Sequence, residues 1–149
     1  MPLDVLFSAG NILALAGWLV LAASPLLPDR LLVVPRIVIP ALIGIAYISL
    51  ILSGWSDAQG GFSSLDEIAL LFQSRPVLLA GWLHYLAFDL FVGSWEVEAG
   101  RRAGVPFWLV LPCLAATFLF GPAGFVLFLA LRAVSSRPAP PSTAQRRAS

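Results

Sequence analysis

The hydrophobic positions of this chain fall into four long runs separated by polar breaks. The runs cover about residues 7–27, 31–54, 77–95 and 105–131. Each run is close to, or longer than, the roughly 20 apolar residues that a helix needs to cross a bilayer. The pattern therefore predicts an all-α protein in which residues 1–132 form one polytopic bundle of four transmembrane helices.

The breaks predict how these helices are paired. Only Pro28-Asp29-Arg30 separates the first two runs, and about residues 96–104 link the last two. Short links of this kind produce antiparallel hairpins. The longer middle connection contains Ser64 and Glu67, which match a capping box, followed by apolar residues at helical spacing. We therefore expect a short amphipathic helix at the membrane surface.

The composition supports a membrane location and excludes several other classes. Hydrophobic residues make up 59% of the chain and charged residues 11%, with a mean hydropathy of +0.90, whereas soluble domains are about 25% charged. Cys113 is the only cysteine, which excludes an intramolecular disulfide and a cysteine metal cluster. The net charge of +1, without a dense basic patch, gives no support for nucleic-acid binding. We predict a multi-pass integral membrane protein in contact with lipid.

The ends of the chain carry two further expectations. Residues 133–149 are rich in Ser, Pro, Ala and Arg, a composition typical of a disordered tail. In a bundle of four spans both termini lie on one side, and that side carries slightly more arginines. The positive-inside rule then places both termini in the cytoplasm.

The third run is unusual because it contains ionisable side chains. His84, the only histidine, and Asp89 lie within it, and such groups in a membrane span mark a functional site by default. At about 1.5 Å per residue, Arg36 reaches nearly the depth of Asp89 from the opposite side. We expect these two to form an ion pair, because an unpaired charge there costs about 2.5 to 3.5 kcal/mol. Glu96 and Glu98 follow near the interface, where we expect them to be solvated.

Two interpretations of these polar groups remain open. In the functional one, His84 and Asp89 are catalytic and move a proton, beside an aromatic slot for an apolar ligand. The predicted ligand-binding residues are Arg36, Trp82, Tyr85, Phe88 and Phe91. In the structural one, the polar groups only hold helices together. His84 and Asp89 are five residues apart, roughly 140° around a helix, and no second histidine exists, so we predict no metal site.

The fourth run is interrupted at Gly121-Pro122-Ala123-Gly124. A proline inside a helix removes a backbone donor and kinks the helix. The interruption is explained either by ordinary kinking or by a break that frees backbone groups to line a cavity.

Several segments of the chain resemble the abscisic-acid-deficient-four-like membrane family. They are the stretch from Ala80 to Gly93 (AGWLHYLAFDLFVG), Pro112-Cys113-Leu114, and the stretch from Phe120 to Gly124 (FGPAG). The resemblance extends from about Asn11 to Arg132. The plant member of that family is required to form neoxanthin from violaxanthin, so the resemblance implies a role in carotenoid or isoprenoid metabolism. It brings no catalytic assignment for individual residues.

Two functions from different classes follow. The first is a membrane enzyme, or enzyme component, that isomerises a carotenoid. Opening an epoxide and moving a double bond requires protonation of an oxygen and removal of a carbon-bound proton, which His84 and Asp89 would perform without a redox cofactor. The alternative is a non-catalytic binding or assembly subunit whose partner is a pigment, a lipid or another membrane protein. A proton or small-molecule pathway is a third option.

Overall fold

The computed structural model describes residues 2–135, and every regular element in that part of the chain is helical. The helices are α1 (Leu3–Ala22), α2 (Ile39–Gly54), α3 (Leu65–Leu71), α4 (Arg75–Arg102), α5 (Phe107–Phe120) and α6 (Pro122–Ser135). Three stretches are long and apolar enough to span a membrane, namely α1, Asp29–Gly54 and α4. The predicted all-α class is confirmed. The predicted tail lies outside the described residues, except that 133–135 belong to α6.

The segment that leads into α2, residues 29–38, is helical but irregular. A 3-10 turn at Asp29–Leu32 is followed by a π-helical segment at Val34–Val38, which contains Arg36. Pro35 and Pro40 have no backbone N–H, so the regular helical hydrogen-bond ladder is interrupted at both positions. Single π-helical turns of this kind often occur at functional sites.

α4 is the centre of the bundle, and α1, α2 and α5 all pack against it. Small residues let α1 approach closely. A Cβ added at Gly10 would lie 2.5 Å from Leu83 Cδ2, and one at Gly17 would lie 2.6 Å from Leu90 Cδ2. Ala14, between the two glycines, is fully buried. The position of α4 is therefore fixed from the α1 side by close helix packing of the kind common in membrane proteins.

The predicted short helix is present as α3. The Ser64 hydroxyl accepts a hydrogen bond from the Glu67 backbone N–H at 3.2 Å, and the Glu67 carboxylate accepts one from the Ser63 N–H at 3.1 Å. This is a variant of the capping box, because the Glu67 carboxylate bonds the N–H of Ser63 and not that of the N-cap residue Ser64. Phe72, just after α3, packs onto Gly81 of α4 and so anchors the connection. The location of α3 at a membrane surface stays a prediction.

The predicted fourth helix over residues 105–131 is wrong, because α5 and α6 are separate helices. α5 ends at Phe120, and Gly121 adopts φ +50°. Glycine reaches positive φ without the steric cost that other residues incur. α6 then begins at Pro122, and proline is well suited to the first turn of a helix. The predicted break at Gly121 is therefore real.

α6 runs back along α5, so the two form a hairpin. Val110 of α5 and Phe128 of α6 both pack against Gly100 at the end of α4. In one continuous helix these two residues would be roughly 27 Å apart along the axis. The Trp95 ring centroid is 5.6 Å from that of Phe125 and 5.5 Å from that of Phe128. Each arm has 14 residues, so each is roughly 21 Å long.

This reversal changes where the described ends of the chain lie. Asp4 near the start of α1 pairs with Arg75 at 3.1 Å, whereas α6 returns to the other end of α4. Leu3 and Ser135 therefore lie near opposite ends of α4, and we predict that they face opposite sides if α4 spans a membrane. The C-terminus lies outside the described residues, so the location of both termini in the cytoplasm stays a prediction.

Accessibility labelling tests this topology. Leu3→Cys and Ser135→Cys, each combined with Cys113→Ser, should react with a membrane-impermeant thiol reagent from opposite sides of sealed vesicles. Double labelling of detergent-solubilised protein controls for reactivity. Reaction of both cysteines from the same side would show that α5 and α6 cross the membrane as one helix.

Candidate functional site

A groove of about 290 Å³ lies between α2 and α4. Its lining residues are Pro40, Gly44, Tyr47, Leu83, His84, Ala87, Phe88 and Phe91. Among these, only His84 and Tyr47 carry polar side-chain atoms. The groove is therefore an apolar site with two polar points, as sites for small apolar ligands usually are.

Aromatic rings form one wall of the groove. The His84 imidazole stacks on Phe88 with ring centroids 4.5 Å apart and planes 15° apart. Tyr47 of α2 lies 5.9 Å from the imidazole at 54°. Residues three or four apart share a helix face, so Phe91 continues the wall one turn further. His84, Phe88 and Phe91 are all exposed, which leaves the wall facing out of the bundle.

Trp82, Tyr85 and Asp89 lie on a different face of α4, towards α1 and α5. The Trp82 indole N–H donates to Asn11 Oδ1 at 3.3 Å, and its ring is 5.3 Å from that of Tyr85. The Tyr85 hydroxyl donates to the Phe118 carbonyl at 2.9 Å. None of the three residues lines the groove. The α4 residues predicted to line one slot thus lie on two different faces of the helix.

Asp89 lies against the tip of the α5–α6 hairpin. A Cβ on Gly121 would be 2.9 Å from Asp89 Oδ2, so the glycine makes room for the carboxylate. Oδ2 is buried and has no hydrogen-bond partner among the described residues. α6 begins one residue later, and the start of a helix carries partial positive charge that favours an anion.

The predicted ion pair between Arg36 and Asp89 is wrong. Arg36 Nη1 is 2.7 Å from Glu98 Oε2, and Glu98 also pairs with Arg102. The cause is the length of α4, which continues as a helix to Arg102 and presents Glu98 near the membrane edge from which Arg36 enters. A long arginine side chain reaches more easily towards that edge than towards the bilayer centre. Glu98 is accordingly paired and not simply solvated.

Glu96 is also not solvated, because it is fully buried between α4 and α5. Its Oε1 accepts a hydrogen bond from the Thr117 hydroxyl at 2.8 Å, and its Oε2 has no partner in the described part of the chain. The predicted helix ended at about Trp95, so Glu96 was expected at the interface. The available signal was the seven-residue spacing of Trp82, Asp89 and Glu96, which puts all three on one helix face.

The two residues predicted to be catalytic do not meet in one cavity. His84 faces the groove, whereas Asp89 faces the hairpin, as expected for positions roughly 140° apart around a helix. Residues 2–135 contain no group of three or more His, Cys, Asp and Glu side chains that could hold a metal ion. Cys113 is buried, and its thiol contacts the Leu109 carbonyl at 3.6 Å.

No curated protein and no solved structure matches the chain. A family described as ABA DEFICIENT 4-like does match it, over residues 5–128. The matched region contains both faces of α4 and the tip of the hairpin, and it agrees with the family that the α4 motif resembles. Because most of its length matches, the chain belongs to the ABA DEFICIENT 4-like family.

Proposed function

We propose that this protein binds a carotenoid or a related isoprenoid in the groove between α2 and α4 and acts in the metabolism of that ligand. The observation that carries the proposal is the lining of the groove, which is apolar and aromatic apart from His84 and Tyr47. Carotenoids with oxygenated end rings are apolar along the chain and polar at one point of each ring. The resemblance of the α4 motif to a family linked with neoxanthin formation supports the same ligand class.

The size of the groove indicates which part of the ligand it would hold. Its volume of about 290 Å³ is near the lower end of the roughly 300 to 1,000 Å³ found for small-molecule pockets. One end ring fits such a space, and a long polyene does not. The remaining chain would extend along the exposed apolar side chains of α2, among them Ile45, Ile48 and Leu52.

In the enzymatic form of the proposal, His84 exchanges a proton with the bound ring. The imidazolium protonates an epoxide oxygen, the C–O bond breaks with its electrons on oxygen, and a neighbouring C–H proton is lost as the new double bond forms. The sum of these steps is an isomerisation without an oxidant or reductant. The neutral imidazole left by the first step would take up that C–H proton, because Asp89 faces the hairpin and does not line the groove.

A non-catalytic binding or assembly subunit is the second candidate. The observation that favours it is the separation of His84 and Asp89 onto different faces, because Asp89 cannot then serve as a separate base for a ligand bound beside His84. In this form the groove holds a pigment or a lipid, and Asp89 stabilises the hairpin.

Substitutions in the aromatic wall test ligand binding. Protein purified from carotenoid-producing cells should carry pigment, and Phe88→Ala should weaken pigment affinity about tenfold, since a stacked aromatic contact contributes about 0.5 to 1.5 kcal/mol beyond its buried area. Bound pigment is measured by absorbance and chromatography. Trp108→Ala is the control, because Trp108 is also an exposed aromatic residue but lies outside the groove. Equal pigment in all three proteins, or none in the unmodified one, would overturn the proposal.

A second substitution separates binding from catalysis. His84→Gln keeps a polar side chain in the groove but cannot act as an acid at neutral pH. The enzymatic form predicts that this variant retains pigment and forms no product from an epoxy-carotenoid, whereas unmodified protein forms an isomer of equal mass. If unmodified protein binds pigment and forms no isomer, the non-catalytic form is correct.

A further inference from the structure

A second pocket, of about 300 Å³, lies near the far end of α4 and brings three arginines together. Its charged lining residues are Asp29, Arg36, Glu98, Arg101 and Arg102. They come from the lead into α2 and from the last turns of α4. The pocket is distinct from the groove, and neither the acid–base step nor pigment binding uses it.

The three guanidinium groups of this pocket share two carboxylates. Glu98 pairs with Arg36 at 2.7 Å and also with Arg102, while Asp29 pairs with Arg101 at 2.5 Å. The five groups therefore leave one net positive charge. Arg36 and Arg102 remain 47% and 68% exposed in their side chains. A guanidinium carries five N–H donors, more than one carboxylate contact engages.

The same end of the bundle carries most of the positive charge of the described residues. Because α6 turns back, this end holds Arg30, Arg36, Arg101, Arg102 and Arg132, whereas Arg75 is at the other end. Arginine-rich ends of membrane proteins face the cytoplasm. The cytoplasmic leaflet is also where anionic lipids attract basic residues, and basic pockets between transmembrane helices bind phosphate-bearing head groups.

We propose that this pocket binds the phosphate group of an anionic membrane lipid. Arg36 and Arg102 hold the phosphate between them, because the planar guanidinium fork matches phosphate oxygens two at a time. Leu21 and Leu32 also line the pocket and provide apolar surface for the glycerol and the first methylenes of the lipid. Glu98, which now occupies both arginines, competes with the phosphate. The site goes beyond the proposed pigment binding and does not depend on it.

Native mass spectrometry of the full chain, released from neutral detergent, tests this site. The probes are phosphatidic acid and diacylglycerol with the same acyl chains, which differ only in the phosphate. We expect one phosphatidic acid to be retained and diacylglycerol to be lost. Arg36→Gln and Arg102→Gln should each weaken retention about tenfold, the loss expected for one charged hydrogen-bonded contact. Arg75→Gln is the matched control, because Arg75 also pairs with an acid but at the other end of α4.

Glu98→Gln distinguishes a binding site from a cluster of ion pairs that only stabilises the fold, called here a structural lock. Removal of the competing carboxylate should raise phosphatidic acid retention several-fold, whereas a lock would lose stability and gain no binding. Circular dichroism confirms that each variant is folded, and Arg36→Lys, which keeps the charge but loses the fork, replaces Arg36→Gln if that variant does not fold.

Three results would overturn the proposal. The first is equal retention of phosphatidic acid and diacylglycerol, and the second is equal retention by the Arg36, Arg102 and Arg75 variants. The third is displacement of phosphatidic acid by millimolar inorganic phosphate, which would identify a soluble phosphate as the ligand of the pocket.

Discussion

Gly124→Ala should destabilise the protein by about 3 kcal/mol, the upper end of what overpacking usually costs. A Cβ at this position would lie 2.0 Å from the Thr117 backbone nitrogen and 2.5 Å from Thr117 Cα. A backbone atom cannot rotate out of the way as a side chain can. The α5–α6 hairpin would therefore have to open at its tip, where Gly121 also packs against Asp89.

Gly44→Ala is the control for this substitution. Gly44 lies within α2, and a Cβ there would meet nothing within 4 Å, so alanine should stabilise the helix by up to about 1 kcal/mol. The free energy of unfolding is measured by titration with a denaturing detergent and followed by tryptophan fluorescence. Similar values for the two alanine variants would show that α5 and α6 are not in close contact.

Glu96→Ala should cost about 2 to 4 kcal/mol, as the removal of a large buried side chain does. The Thr117 hydroxyl would lose its acceptor at 2.8 Å, and a buried group left unpaired adds to the loss. Glu96→Gln should be tolerated far better, because the amide oxygen still accepts from Thr117 and no charge is buried.

The same unfolding titration compares these two variants. Asp66→Ala controls for the loss of an acidic side chain, because Asp66 is exposed on α3. Thr117→Val combined with each Glu96 variant gives the coupling between the two residues. If Glu96→Gln is as damaging as Glu96→Ala, then the charge of Glu96, and not its hydrogen bond, is what the fold needs.

The sequence predicted the helical class and the α3 cap because these depend on local patterns. The Ser64 and Glu67 spacing specifies a capped helix start, and apolar runs specify α1 and Asp29–Gly54. The face shared by His84, Phe88 and Phe91 also follows from helix geometry alone. Local periodicity is sufficient for each of these features.

The reversal at Gly121 was not predictable in the same way. Residues 105–131 are apolar throughout and long enough for one span, and a glycine-proline pair indicates a break without giving the direction of the next helix. The direction depends on tertiary packing, in particular on the contacts of Trp95 with Phe125 and Phe128.

The predicted partners of the carboxylates were wrong for a related reason. The charged residues after Trp95 resemble a loop, so α4 was ended seven residues too early. The depth estimate then matched Arg36 with Asp89, although Glu98 was available nearer the membrane edge. Helix ends are the weakest part of any pattern-based assignment, and here that error affected the partner predicted for Arg36 and the solvation predicted for Glu96 and Glu98.

The hairpin also gives the protein a tapered cross-section. Its arms of roughly 21 Å are shorter than a hydrocarbon core of about 30 Å, so if α4 spans a membrane we expect the bundle to be narrower at the Arg75 end than at the Arg102 end. In that placement, lipids around the narrower end would fill the space beneath the hairpin tip. Such a shape has the form of a wedge and relieves lateral stress best in a curved bilayer, so the protein should concentrate where a membrane bends towards its narrow end.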